Sequence, residues 1–121
     1  MTAGRLIFFR HPLYSEKIMD EQAGRVLKEL IMDRGRSVIR DPKACEKLVL
    51  GTLPADSLES LLLRRALRER IPQELLDIRV PIQLQVPRLA RRLERVSAVR
   101  LDVARWAVET WAYALGIEVP K

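Results

Sequence analysis

The side chains with the most reactive chemistry are one cysteine, Cys45, and one histidine, His11. Structural and catalytic zinc-type sites take three or four protein ligands, so no metal site is expected from this pair. A nucleophilic cysteine needs a base and a group that orients the base. Cys45 instead stands on the apolar side of a helix beside Leu48 and Val49, which marks it as a core thiol. Acid–base work by carboxylates needs two of them converging in a pocket. Here Asp41, Asp56 and Glu59 fall where helices begin and read as caps. The five glycines, Gly4, Gly24, Gly35, Gly51 and Gly116, are scattered singly at helix ends or in solvent, so no phosphate-cradling loop is expected. These patterns imply no catalytic residue, no cofactor and no small-molecule substrate.

Arginine is the remaining chemistry. Lys+Arg number 22 against 16 Asp+Glu, for a net charge of +6. Arg88, Arg91, Arg92 and Arg95 repeat at i, i+3, i+4 and i+7, the spacing of one helix face, and Arg64, Arg65, Arg68 and Arg70 crowd another helix. A guanidinium matches carboxylate or phosphate with two parallel donors. Three readings compete: a solvated face laced with salt bridges, an acidic protein partner, or a nucleic acid. Readers of nucleic acid also carry base-edge polar residues or exposed aromatics for stacking, whereas the aromatics here lie in an apolar helix. A protein partner therefore leads and a small basic nucleic-acid-binding protein is the alternative. Trp106 and Trp111 are five residues apart, about 140° around a helix, and cannot share a face. One belongs in the core. An exposed tryptophan beside arginine is the type that anchors interfaces, so Trp106 joins Arg64, Arg65, Arg68, Arg88, Arg91, Arg92 and Arg95 as a candidate partner-binding residue; burial of both tryptophans is the competing reading.

Helices must position these side chains. From Asp20 to about Arg36, Ala23, Val26, Leu27, Leu30 and Ile31 follow a helical repeat that ends near Gly35. Asp41-Pro42 predicts a start by N-cap and N1 proline, with a helix over about 41–50 that buries Ala44, Cys45, Leu48 and Val49 and stops at Gly51. Asp56-Ser57-Leu58-Glu59 resembles a capping box, opening a helix to about Arg70 with a stripe of Leu58, Leu61, Leu62, Ala66 and Leu67, Leu63 flanking. Ile71-Pro72 restarts a short helix. The stretch from Val80-Pro81 to Val86-Pro87 reads as an extended connector, and the next helix as starting near Pro87 with Leu89, Leu93 and Val96 inward. The last helix spans about 100–115, ends at Gly116, and is apolar on most of its circumference, which suits a central helix. The sum is an all-α compact bundle of five or six short helices: an N-terminal arm over 1–19, one domain over 20–117 and a tail over 118–121. A 121-residue chain that is 48% hydrophobic and 31% charged is expected to fold. Its longest apolar runs fall far short of the roughly 20 residues that cross a bilayer. A lone cysteine and a start lacking a long apolar segment point to the cytoplasm.

Three stretches together resemble a known type of domain: Arg40-Asp41-Pro42-Lys43-Ala44-Cys45-Glu46-Lys47-Leu48, Val86-Pro87-Arg88-Leu89-Ala90-Arg91-Arg92-Leu93, and Ala104-Arg105-Trp106-Ala107-Val108-Glu109-Thr110-Trp111-Ala112-Tyr113-Ala114-Leu115-Gly116. The sequence is similar over about residues 20–117 to the small helical effector-associated domains of bacterial signalling and defence proteins, which accompany kinase, protease or repeat modules. The Trp-Ala-Val-Glu-Thr-Trp-Ala segment is the most specific part. The resemblance implies a non-catalytic adaptor, similar in shape to the death-fold domains, which associate with their own kind or with a homologous domain. The loop at Thr52-Leu53-Pro54 and the arm over 1–19 have no counterpart in it.

Overall fold

Helix α1, Glu21–Arg34, turns Ala23, Gly24, Leu27 and Ile31 inward. The chain is seen in a computed structural model that describes residues 21–77 and 79–119; the expected N-terminal arm lies outside them. Val26 and Leu30 are half-buried at the edges of this stripe. Gly24 is inside the helix, where a Cβ would meet Thr110 and Tyr113 at 3.5–3.6 Å, so it lets α1 lie close on the last helix rather than ending anything. Gly35, at φ 86°, closes α1. A 3-10 turn over Arg36–Arg40 then buries Ile39.

Helix α2, Pro42–Thr52, begins as expected: the Asp41 carboxylate accepts from the Ala44 amide at 3.2 Å, and Pro42 occupies N1. It does not stop at Gly51, which lies within it. The stop comes at Leu53, which sits before Pro54 and is pushed to the extended region. Cys45 and Val49 are buried, Leu48 half-buried and Ala44 exposed, so the inward face is narrower than the sequence suggests.

Helix α3, Leu58–Arg68, is capped one residue later than the capping-box reading has it. Ser57, not Asp56, is the N-cap; its hydroxyl accepts from the Ser60 amide at 3.1 Å and donates to the Pro54 carbonyl at 2.8 Å. The buried set is Ser60, Leu62, Leu63, Ala66 and Leu67, which leaves Leu58 38% and Leu61 55% exposed. With leucine at 58, 61, 62 and 63, the apolar arc is wider than one neighbour can cover, and the bundle takes the Leu63 side. The helix ends at Arg68, not Arg70: Arg70 is left-handed at φ 60°, and Ile71-Pro72 opens the next helix.

Helix α4 is Ile71–Leu75. Helix α5, Ile82–Ser97, overturns the extended connector, because Pro87 lies inside it. The Pro81 carbonyl accepts from the Leu84 and Gln85 amides at 3.0 Å and starts the helix five residues early. Pro87 removes one donor, to the Gln83 carbonyl. The buried row Val86, Leu89, Ala90 and Leu93 carries the helix past that loss, while Val96 ends 37% exposed.

Helix α6, Leu101–Ala114, is the central element and packs on α1, α3, α4 and α5. Its C-terminus is a Schellman turn: Ile117 donates to the Ala112 carbonyl at 2.8 Å and Gly116, at φ 78°, to the Tyr113 carbonyl at 3.0 Å. Trp111 is fully buried and its indole N–H donates to the Leu63 carbonyl at 3.1 Å, pinning α6 to α3. The described residues thus form an all-α compact bundle of six α-helices and one 3-10 turn. Ile117 and Val119 pack against its core. No helix among them is long and apolar enough to cross a membrane.

Candidate docking groove

The arginines of the sequence do not share one face. In α5, Arg88 and Arg92 reach back to α4 and hold Glu74 between them, at 2.9 Å to Oε1 and 2.6 Å to Oε2. Arg92 also donates to the Glu69 carbonyl at 2.7 Å, just past the end of α3. Arg36 does the same for the Leu115 carbonyl at the end of α6 at 2.7 Å, and Arg65 for Val96 in the last turn of α5 at 2.8 Å. A guanidinium placed there satisfies an unpaired carbonyl and opposes the negative end of the helix dipole. Burial alone would raise the Glu74 carboxyl; the hydrogen bonds from Arg92 and Arg88 outweigh it and hold the group below its ordinary range. These residues lock helix ends together.

Arg91 lies instead in a shallow hollow between α5 and α6 with Pro87, Glu94 and Asp102, and Arg95 is exposed with no partner among the described residues. Trp106 is half-buried in a separate hollow between α1 and α6, beside Gly24, Arg25 and Tyr113. Cys45 is fully buried, with its thiol pushed up to about 11 by burial and by the nearby Asp41 carboxylate, which suits a core position. His11 lies outside the described residues. Among the described residues no cluster of three His, Cys, Asp or Glu side chains could hold a metal.

The arginines of α3 do converge. Arg64, Arg65 and Arg68 line a groove between α3 and the C-terminal end of α5 whose apolar floor is Leu61, Leu62, Val96 and Val99. Its volume is about 170 Å³. The rim is built in place: Arg64 donates to the Ala55 carbonyl at 3.0 Å and through Nε to Ser60 at 3.2 Å. Arg68 pairs two-pronged with Glu46 of α2, at 2.7 and 3.2 Å, and these hydrogen bonds hold the Glu46 carboxyl below its ordinary range. Arg65 Nε and Ser97 Oγ are buried in the groove walls with no hydrogen-bond partner among the described residues.

The sequence offered the rim of this groove, while its floor was missed. The signal was the surplus of leucines: Leu58 and Leu61 sit outside the arc that the core needs, and Leu61 with Val96 lines the groove. The three arginines fall together because Arg64, Arg65 and Arg68 are neighbours on one helix, whereas Arg88 and Arg92 are drawn off by Glu74. Compared with protein-family models, curated proteins and solved structures, the chain gives no match.

Proposed function

We propose that the chain is a non-catalytic, cytoplasmic protein-interaction module, an adaptor of bacterial signalling or defence that joins a homologous helical domain or a second copy of itself through the α3–α5 groove. The carrying observation is the pairing of an exposed apolar floor, Leu61 and Val96, with a rim of three arginines. Such a groove favours a partner segment with an apolar anchor flanked by carboxylates, read by burial at the centre and by charge at the edge. Because Arg64, Arg65 and Arg68 are already held by Ala55, Val96 and Glu46, docking orders few additional rotamers, and that lowers the entropic cost of binding. The death-fold-like shape implied by the sequence resemblance belongs to the same proposal.

Nucleic acid draws less support. Among the described residues, no exposed aromatic side chain on which a base could stack accompanies the groove.

The test uses two probes on the full chain. A synthetic amphipathic helix with one leucine flanked by glutamates, labelled for fluorescence anisotropy, is expected to bind saturably, to weaken with salt, and to lose at least tenfold in affinity against Leu61→Glu. Absence of binding, or binding unchanged by Leu61→Glu, overturns the proposal. Tighter binding of a duplex or single-stranded oligonucleotide, with a steep log-linear salt dependence, replaces it with the nucleic-acid reading.

A further inference from the structure

We infer that the occupant of the α3–α5 groove is the exposed edge of α1 in a second copy of the chain, so that copies join head to tail; this rests on the docking reading above.

Met32, on the outer face of α1, is 73% exposed and is the most exposed large apolar residue among those described. Glu29 lies one turn before it on the same face, Asp33 follows it, and both are exposed. Of the cations near this edge, Lys28 and Arg36 are turned away from it, and Arg25 lies two turns from Met32 along the helix. Lys28 Nζ sits 4.4 Å from the centre of the Tyr113 ring, and Arg36 donates to the Leu115 carbonyl, both toward α6. Arg34 approaches Asp33 only at 3.7 Å, with both side chains more than half exposed. The edge of α1 therefore offers one apolar side chain with acidic shoulders.

The groove offers the converse. Its roughly 170 Å³ equals the share of about five or six waters in the liquid, room for one long apolar side chain. Its rim is Arg64, Arg65 and Arg68. Methionine is unbranched and adapts to an irregular socket better than other apolar residues. Charge and shape thus agree: Met32 over Leu61 and Val96, with Glu29 and Asp33 toward Arg64 and Arg65, since Arg68 is already paired with Glu46.

Knob and socket belong to different helices, so the contact is heterologous. After one junction forms, one copy still has a free knob and the other a free groove, and assembly continues to a ring or an open chain. A junction of this size is weak compared with a standard interface of about 800 Å² per partner.

Sedimentation of the full chain from about 10 μM to about 1 mM, the range of a weak junction, tests the inference. The wild-type mass average should rise with concentration and fall with salt. Met32→Lys and Leu61→Glu should each stay monomeric at all concentrations. Both replace exposed residues with good helix formers, and an unchanged circular dichroism spectrum verifies their fold. The decisive sample is the equimolar mixture of the two variants, which retains one intact knob and one intact groove. It should form a dimer and nothing larger. A mixture that stays monomeric, or a single variant that assembles like the wild type, overturns the head-to-tail contact. A wild type that is monomeric throughout while the acidic amphipathic probe still binds, and is lost with Leu61→Glu, overturns α1 as the occupant and leaves the docking reading standing. Failure of the probe as well removes both.

Discussion

Arg92 belongs by sequence to a basic stripe, yet the structure makes it a tie between three elements, and Arg92→Met separates the two roles. Methionine keeps the apolar stem and the helix propensity and removes the guanidinium. Lost with it are the 2.6 Å bond to Glu74 and the 2.7 Å bond to the Glu69 carbonyl, and Glu74 retains Arg88 alone. Hydrogen bonds to charged groups contribute about 1.5–3 kcal/mol when well buried. The Arg92 side chain is 28% and Glu74 34% exposed, so water screens part of that, and the expected loss is about 2 kcal/mol. For a domain of this size that corresponds to about 8 °C in the thermal midpoint. The assay is thermal unfolding followed by circular dichroism, with Arg95→Met as control. Arg95 has no partner among the described residues, so its replacement should shift stability by less than about 0.5 kcal/mol. The pH dependence supplies a second check. Because the folded Glu74 carboxyl titrates below its ordinary value, its contribution is present above about pH 4.3 and is lost as the pH falls through the folded value. The gap between wild type and Arg92→Met should therefore narrow as the pH falls below the ordinary glutamate range. If Arg92→Met unfolds at the same temperature as Arg95→Met at neutral pH, the tie is not holding the helices and the reasoning fails.

Three further outcomes are expected. Ser57→Ala should cost about 1 kcal/mol in urea unfolding while Asp56→Ala costs less than about 0.5, since the Ser57 hydroxyl alone caps α3; equal losses would return the cap to Asp56. Gly51→Ala should stabilise the chain by about 0.5–1 kcal/mol, because a Cβ there meets nothing within 4 Å and the position is helical; destabilisation would mean that α2 ends at Gly51 after all. Cys45 should react with a disulfide reagent only as fast as the protein unfolds, given full burial and a thiol held near 11; rapid labelling of the native protein would place the thiol at the surface.

What the sequence makes legible is local. Asp41-Pro42 opens α2, Gly116 ends α6 and the row Ala23, Leu27, Ile31 faces inward, because caps and helical spacing act within a few residues. Pro87 misleads because a break is only a local preference, and the buried row Val86, Leu89, Ala90 and Leu93 outweighs one missing hydrogen bond. Gly51 misleads for the opposite reason: Leu53-Pro54 supplies a stronger stop two residues later. The orientation of α3 could not be read, since leucines at 58, 61, 62 and 63 fit two faces and only the position of α6, with Trp111 on the Leu63 carbonyl, decides between them. The arginine pattern was visible as charge, but its acceptors lie far along the chain: Glu69 and Glu74 for Arg92, Val96 for Arg65, Glu46 for Arg68. Which arginines line a groove and which bind helix ends is a property of the tertiary arrangement.

A docking surface formed by α3 and the end of α5 can be mapped residue by residue from amide chemical shifts during titration with the acidic amphipathic peptide. Shifts should concentrate at Leu61 to Arg68 and at Val96 to Val99. Shifts centred on Arg91 and Arg95 or around Trp106, or no shifts at all, would contradict it.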